Sequence, residues 1–133
     1  MIFFTDENFA HRANALLRAF DLQNEIRAFL EHFPKGTPDL IWLPKVGEWV
    51  DKPIIVCGDG RILSNPVERA ALRRTGCTFI YLASGWTNTP WNLLCLRLIK
   101  YWPDVVTLAS RTTQQAIIEL TTRGHVFRKP LPG

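Results

Sequence analysis

Short apolar, β-prone runs alternate with helix-like segments along this chain, and that alternation restricts its fold more than any other feature. The β-prone runs are MIFFT (1–5), EIRAFL (25–30), PIIVC (53–57) and TFIYLA (78–83). Strands separated by helices are typical of a mostly parallel sheet covered on both faces. The pattern therefore predicts an α/β fold, with helices packed on both sides of a central sheet.

Four segments carry the apolar spacing and the end signals of helices. The first is an amphipathic segment over about 8–19, with its apolar positions at Phe9, Ala13, Leu16, Leu17 and Phe20. Three more helices are predicted over 36–43, 64–77 and 89–103, with Thr37, Asn65 and Thr89 as N-caps. Pro44 and Pro103 are expected to end or kink the helices that reach them. Beyond these, AIIEL and HVFRKPL flank Arg123-Gly124 and predict a terminal hairpin.

Length and composition point to one cytoplasmic domain. A chain of 133 residues with 47% hydrophobic residues can bury a stable core without disulfide bonds or a structural metal ion. No apolar run approaches the ~20 residues of a membrane span, and MIFFTDENF lacks the basic start of a signal peptide. Three widely spaced cysteines, Cys57, Cys77 and Cys95, are expected to be reduced core thiols.

The net charge of +4 conceals two halves of opposite sign. Residues 1–60 carry 6 basic and 9 acidic side chains, whereas residues 61–133 carry 10 basic and 3 acidic ones. An acidic cluster beside a basic surface suits a divalent metal next to a polyanion, although uneven solvation of two faces gives the same counts. His11, His32 and His125 show no zinc-ligand spacing, and the chain has no Walker A loop, GxGxxG or G-x-S-x-G motif.

Acidic residues stand where two predicted strands end. Asp6 and Glu7 follow the first strand, and Asp59, between two glycines, follows the third. Ligands of parallel sheets bind at the carboxyl ends of the strands, and like charges there favour a hard cation such as Mg²⁺ or Mn²⁺. Asp39 and Glu68, at helix starts, are further candidates for the same edge.

Each of these acids also has a structural interpretation. Asp6 or Glu7 would stabilise the positive end of the following helix, and Asp39 is ordinary in a first turn. Glu68 would complete a capping box with Asn65, and Asp59 would serve in a turn.

With these motifs assembled, the chain resembles the PIN-domain nucleases, and most closely the compact PIN-like branch of VapBC-type toxin–antitoxin pairs. The resemblance is carried by FFTDENF (3–9), DLIWL (39–43), VCGDGRILSNPVERAALRRTGC (56–77), FIYLASGW (79–86) and a Trp-Pro at 102–103. It implies a three-layer α/β/α sandwich with a mostly parallel sheet, as one domain over 1–133. The core would span about 2–104, followed by a C-terminal extension over 105–133.

The resemblance also implies an activity, cleavage of RNA by a Mg²⁺- or Mn²⁺-dependent endoribonuclease. Asp6 and Asp59 match the acids of the family, Asp39 matches loosely, and no acid follows the fourth strand, where the chain has Ser84, Thr87 and Asn88. The implied metal ligands are Asp6, Glu7, Asp39 and Asp59, and the implied catalytic acids are Asp6, Asp39, Asp59 and Glu68. Arg61, Arg69, Arg73 and Trp86 are the expected RNA contacts. Expected partners are an RNA substrate, a cognate antitoxin protein and a second copy of the chain.

Two other functions fit parts of the pattern. A catalytically inactive PIN-like domain that only binds RNA or protein would explain the absent late acid. A receiver-type signalling domain also has an acid pair after its first strand and an aspartate after its third. The chain lacks the lysine expected at the end of a fifth strand, because Lys100 falls inside a predicted helix.

Overall fold

The computed structural model describes residues 1–9, 11–58, 60–83, 85–86 and 88–132. In that part of the chain the strands are β1 Ile2–Thr5, β2 Glu25–Ala28, β3 Ile54–Cys57, β4 Phe79–Leu82, β5 Ala116–Leu120 and β6 Val126–Pro130. The helices are α1 His11–Phe20, α2 Asp39–Gly47, α3 Arg61–Ser64, α4 Pro66–Thr75 and α5 Trp91–Ser110, with a 3₁₀ turn at Phe29–Glu31. Within the described ranges, no helix is long and apolar enough to cross a membrane.

The strands form one sheet in the order β2-β1-β3-β4-β5-β6. The first five are parallel to their neighbours, and β6 returns antiparallel along β5. The mostly parallel sheet and the terminal hairpin are therefore confirmed. The chain leaves β1 toward β2 on one side and comes back to β3 on the other, so the strand order reverses between β1 and β3. Ligands of such sheets bind outside the strand ends at this position.

Successive residues of the central strands point into two different hydrophobic clusters. Phe3 packs in a cluster with residues of α1 and α5, whereas Phe4 packs in a cluster with residues of α2 and α4. Val56 and Ile55 divide in the same way. Because adjacent side chains of a strand face opposite sides, a strand that is apolar at every position must be covered twice. This produces the three-layer α/β/α sandwich, as predicted.

Two helices continue past the prolines that were expected to end or kink them. The helix over Asp39–Gly47 contains Pro44, and the helix over Trp91–Ser110 contains Pro103. Both prolines are exposed, whereas buried apolar residues continue beyond them, Val46 in α2 and Val105 in α5. A proline inside a helix costs about 3 kcal/mol, an amount that the burial of two or three large apolar side chains offsets. Packing against the sheet therefore outweighs the local signal.

The predicted caps have mixed outcomes. Asn65 is the N-cap of α4, and its Oδ1 accepts from the backbone N–H groups of Val67 and Glu68. Thr37 and Thr89 are not caps, because Pro38 and Pro90 hold those positions. Their hydroxyls instead donate to nearby carbonyls, from Thr37 to Pro34 and from Thr89 to Gly85.

Residues 105–133, the predicted C-terminal extension, complete helix α5 and add two strands to the sheet. The helix α5 runs without a break to Ser110, and β5 pairs with β4 on one side and β6 on the other. Ile117, Ile118 and Leu120 of β5 are buried. The segment 105–133 is thus part of the core, because without β5 the strand β4 would be an exposed apolar edge.

Candidate functional site

A cleft of about 720 Å³ opens at the carboxyl edge of the sheet, where the strand order reverses. Its walls come from the end of β1, the start of α2, and the segment containing α3 and the start of α4. The carboxylates that line it are those of Asp6, Glu7, Asp39 and Glu68, and its one lining cation among the described residues is Arg61. The edge predicted to carry the acids therefore does bring four of them to one cavity.

Among the four acids, Asp6 is the one that is buried and whose backbone is bonded directly to the sheet. It follows β1 directly, its side chain is 8% exposed, and its backbone N–H donates to the carbonyl of Val56 in β3 at 2.9 Å. The residue before it, Thr5, donates its hydroxyl to Asn14 Oδ1 of α1 at 2.6 Å inside the core. The ends of β1 and β3 are thus direct neighbours, and Asp6 is held by the sheet itself.

Glu7 and Asp39 line the cleft and also serve local structure. The Glu7 carboxylate accepts from the backbone N–H of Gly36 at 2.8 and 3.1 Å, which ties the loop before α2 to the end of β1. Asp39 Oδ1 accepts from Trp42 Nε1 at 2.8 Å, one turn further along α2. The first-turn position of Asp39 in α2 is as expected, whereas Glu7 bonds to the loop before α2 and not to the helix that follows it. Their roles as metal ligands stay predictions.

Glu68 enters the cleft from the first turn of α4. Asn65 caps this helix, and its Oδ1 accepts from the backbone N–H of Glu68 at 3.2 Å. The cap fixes where the helix begins and therefore which residues of its first turn face the cleft. Asn65 itself also lines the cavity.

Asp59, the expected partner of Asp6, lies outside the described residues. Its predicted role as a metal ligand and catalytic acid is not tested. Its neighbour Gly60 is described, and a Cβ there would lie 3.1 Å from the Tyr81 ring of β4. The close approach of that ring explains a glycine at this position.

Of the three arginines expected to contact RNA, only Arg61 lines the cleft. Arg69 donates from Nη1 to the carbonyl of Leu63 at 2.9 Å and braces α3 against α4. Arg73, one turn further along, donates to the carbonyls of Leu131 and Pro132. Leu131 and Pro132 follow the end of β6 at the amino-end edge of the parallel strands, since Pro130, the last residue of β6, pairs with Ala116, the first residue of β5. Arg73 therefore lies away from the acidic cleft, because α4 runs away from that edge. Its predicted contact with RNA stays a prediction.

Trp86, an expected RNA contact in the loop after β4, is buried and not exposed. Its side chain is 2% exposed and packs in the hydrophobic cluster of α1 and α5. It lines a second, smaller cavity, separate from the acidic cleft. Trp86 is therefore buried against α1 and α5 and does not offer an open ring to solvent. Its predicted contact with RNA stays a prediction.

Asn8 is a site residue that the sequence pattern did not single out. It lines the acidic cleft and also the smaller cavity beside Trp86. Its position two residues after Asp6 is the signal that would have found it, since the whole segment 6–8 leaves the sheet at the ligand-binding edge.

The chemistry of the cleft suits a hard divalent cation. Its described donors are carboxylate oxygens together with the amides of Asn8 and Asn65, the oxygen donors that Mg²⁺ and Mn²⁺ take. Within the described ranges, no three acidic, histidine or cysteine side chains approach closely enough to form a metal site. The types of donor in the cleft therefore fit a divalent metal. In the described part of the chain these donors line an open cavity and are not gathered around one point.

Comparison with known proteins agrees with this geometry. No curated protein and no solved structure matches the chain. The family model for the PIN like domain matches residues 1–84, which hold β1 to β4 and every described residue lining the acidic cleft. Members of this family are generally nucleases. Because that model spans well over half of the chain and includes the acid-lined strand ends, the chain belongs to the PIN-like domain family.

Proposed function

We propose that this chain is a metal-dependent ribonuclease that hydrolyses RNA phosphodiester bonds, the toxin of a toxin–antitoxin pair. One observation carries the catalytic part of the proposal. Carboxylates from three separate parts of the fold, the end of β1, the start of α2 and the start of α4, line one cleft at the point where the strand order reverses. Carboxylate oxygens that line one cleft are the ligands that a hard divalent cation takes in proteins.

Asp6, Asp39 and Glu68, with Asp59 as a further predicted ligand, would hold Mg²⁺ or Mn²⁺ in this cleft. When bound, such an ion polarises a phosphate and lowers the pKa of a coordinated water. Asp6 would set the position of the ion, because β1 and β3 hold its backbone rigidly. Glu7, already bonded to Gly36, would keep the loop before α2 closed over the same side of the cleft.

Arg61 is the described cation that supports binding of an RNA phosphate in the cleft. Its side chain is exposed and lies on the same cavity as the acids. A guanidinium binds a phosphate through two parallel hydrogen bonds, and it would orient the scissile group toward the carboxylates. The basic half of the chain begins at this residue, and its charge would attract the RNA backbone.

The proposal is tested by cleavage of a labelled RNA with Mn²⁺, by wild type and by Asp6→Asn and Glu68→Gln. We expect both variants to lose at least about a hundredfold in rate, because each removes a charge that binds the cation. Asp104→Asn, which changes an exposed acid on α5 far from the cleft, is the matched control and should cleave like wild type. In cells, wild type and not Asp6→Asn should arrest growth.

Equal cleavage by wild type and Asp6→Asn would contradict the proposal, as would cleavage that persists in EDTA. Wild type without cleavage, but with retained RNA binding, would favour the second candidate, a catalytically inactive PIN-like binding domain. That candidate draws support from the sequence after β4, where Ser84, Thr87 and Asn88 stand in place of an acid. The receiver-type alternative loses support, because Leu120 and Thr121 stand where β5 ends and Lys100 lies within α5.

An antitoxin protein and a second copy of the chain remain proposed partners. The described surface includes exposed apolar side chains on α2, Leu40 and Ile41, near the mouth of the cleft. A protein that covers them would also restrict access of RNA to the acids.

A further inference from the structure

A second cavity of about 150 Å³ lies at the same edge of the sheet, on the side of α1 and α5. Its walls are almost entirely apolar. The apolar side chains that line it are those of Phe9, Ala13, Leu82, Trp86, Leu94 and Leu98. None of them takes part in the proposed metal chemistry. An unfilled apolar cavity of this size leaves its walls short of packing contacts, which a ligand of matching size and shape would supply.

The volume selects a single six-membered ring. A protein cavity of about 150 Å³ lined by leucine, isoleucine and phenylalanine side chains holds one benzene molecule. Among the parts of an RNA chain, a pyrimidine base is a planar ring of that size, whereas a purine has two fused rings. The walls supply the flat and branched apolar surfaces against which such a ring packs.

Trp86, one of the residues that line the cavity, carries a polar group without a partner in the described part of the chain. Trp86 Nε1 is buried and finds no hydrogen-bond acceptor among the described residues. A buried N–H group without an acceptor is unfavourable, and native structures rarely leave one. Both pyrimidine bases of RNA carry a carbonyl oxygen at C2, next to the ring nitrogen that bears the sugar. A rotation of the indole that turns Nε1 toward the cavity would let it donate to that oxygen.

The cavity adjoins the acidic cleft. Asn8 lines both, and Gly58, at the end of β3, lines the small cavity directly before Asp59 in sequence. A nucleotide whose phosphate lies in the cleft would therefore have its base within reach of the cavity across the ends of β1 and β3.

We infer that this cavity is a base-recognition subsite that admits a pyrimidine, and that it sets the sequence preference of the proposed ribonuclease. The inference rests on the proposed function for its RNA substrate. Discrimination would come from two terms: the cavity is too small for a purine, and the Trp86 N–H is satisfied only by an acceptor on the base that enters. A donor that is left unpaired is what makes the wrong ligand bind less well.

The test is a binding measurement without metal, so that cleavage is not required. Fluorescence anisotropy compares a labelled all-adenosine octamer with octamers that carry one uridine or cytidine at each position in turn. Wild type should bind the best single-pyrimidine octamer about tenfold more tightly than the all-adenosine one, the scale of one hydrogen bond made or left unmade. Trp86→Phe keeps an aromatic wall and removes the donor, and should reduce this ratio to about twofold or less.

Two further variants make the result decisive. Leu94→Phe enlarges a partly buried wall residue, fills the cavity and should also abolish the preference. Trp91→Phe makes the same substitution as Trp86→Phe, but on α5, the helix that carries Leu94, at a position that does not line the cavity, and should keep the preference. Thermal unfolding of each variant establishes that it is folded before its ratio is compared.

Equal affinity of wild type for all octamers, no binding of any octamer, or an unchanged ratio in folded Leu94→Phe would overturn the inference. A pyrimidine preference in binding without any cleavage under Mn²⁺ would support the subsite and contradict the ribonuclease. Cleavage by wild type without preference at any position would leave the ribonuclease standing and remove the subsite.

Discussion

At the scale of single residues, Asp21 shows how one carboxylate joins distant parts of the fold. It lies just after α1 and accepts from the backbone N–H groups of Gln23 and Asn24 at 3.1 Å, and from Asn24 Nδ2 and Trp102 Nε1 at 2.9 Å. Partial burial acts to raise the pKa of Asp21, but these four hydrogen bonds outweigh it and hold the pKa below its usual value. The charged form is therefore the one that stabilises the native state.

We expect Asp21→Asn to lower the free energy of unfolding by about 1–3 kcal/mol at pH 7, because the amide cannot accept at both ends. The pKa of Asp21 is lower in the folded protein, so its contribution is present above the unfolded value and is lost as pH falls from 3.8 toward the folded pKa. Urea unfolding at pH 7 and near pH 3 should show the difference between wild type and variant shrinking in acid. A difference that stays constant with pH would contradict this assignment.

At the scale of whole elements, packing decides where the helices end. The two interior prolines remove a helical hydrogen bond each, yet α2 and α5 continue past them because the residues on their inner faces are buried against the sheet. Pro103 is exposed, and the carbonyl of Ile99, four residues earlier, has no N–H partner at position 103. The proline thus costs stability without contributing packing.

Pro103→Ala should therefore stabilise the protein by about 1–2 kcal/mol, the helix gain less the added entropy of the unfolded chain. Equilibrium unfolding in urea measures it. Pro34→Ala, an exposed proline in the loop before α2, is the control and should give no gain. A loss of stability in Pro103→Ala would show that α5 needs a kink at this position.

At the scale of the whole molecule, the acidic and basic halves of the chain meet at the functional edge. The described acids Asp6, Glu7 and Asp39 come from residues 1–60, whereas Arg61 and Glu68 begin the basic half. The sheet joins the halves through the pairing of β1 with β3 and continues through β4 to the buried strand β5. The cleft at one end of the sheet depends on a core that extends well beyond the segment matched by the family model.

A chain shortened to residues 1–104 should consequently fail to fold. It would lose β5 and β6 and the end of α5, and with them the buried side chains of Val105, Ile117, Ile118 and Leu120. Circular dichroism and limited proteolysis should show an unfolded, protease-sensitive chain, while a chain ending at residue 132 stays resistant. A stable, cooperatively unfolding 1–104 fragment would restore the division into core and extension.

Much of the architecture follows from local patterns. Every β-prone run became a strand, since runs such as IFFT and IIVC are apolar on both faces and must be buried twice. The Asn65-Pro66 start and the Gly76 end of α4 were readable, because caps are local interactions. The helix ends at Pro44 and Pro103 were wrong for the opposite reason: long-range packing overrode a local signal.

The candidate site divides in the same way. The placement of Asp6 at a strand end and of Asp39 and Glu68 at helix starts could be predicted from position along the chain, because parallel strands end at a common edge. The positions of the Arg73 and Trp86 side chains could not be predicted in this way. Arg73 lies far from the acidic cleft because α4 runs away from it, and the ring of Trp86 packs inward against α1 and α5. Neither direction is encoded in the spacing of residues.

By itself, the sequence determined the fold class, the alternation of strands and helices along the chain, and which acids stand at the ends of strands and the starts of helices. These properties depend on burial and capping, which act over a few residues. The tertiary structure alone decided that β1 and β3 are neighbours, that four carboxylates share a cleft with Arg61, and that an apolar cavity lies beside it. Those properties depend on which elements pack together, and packing is settled by the shape and volume of the whole core.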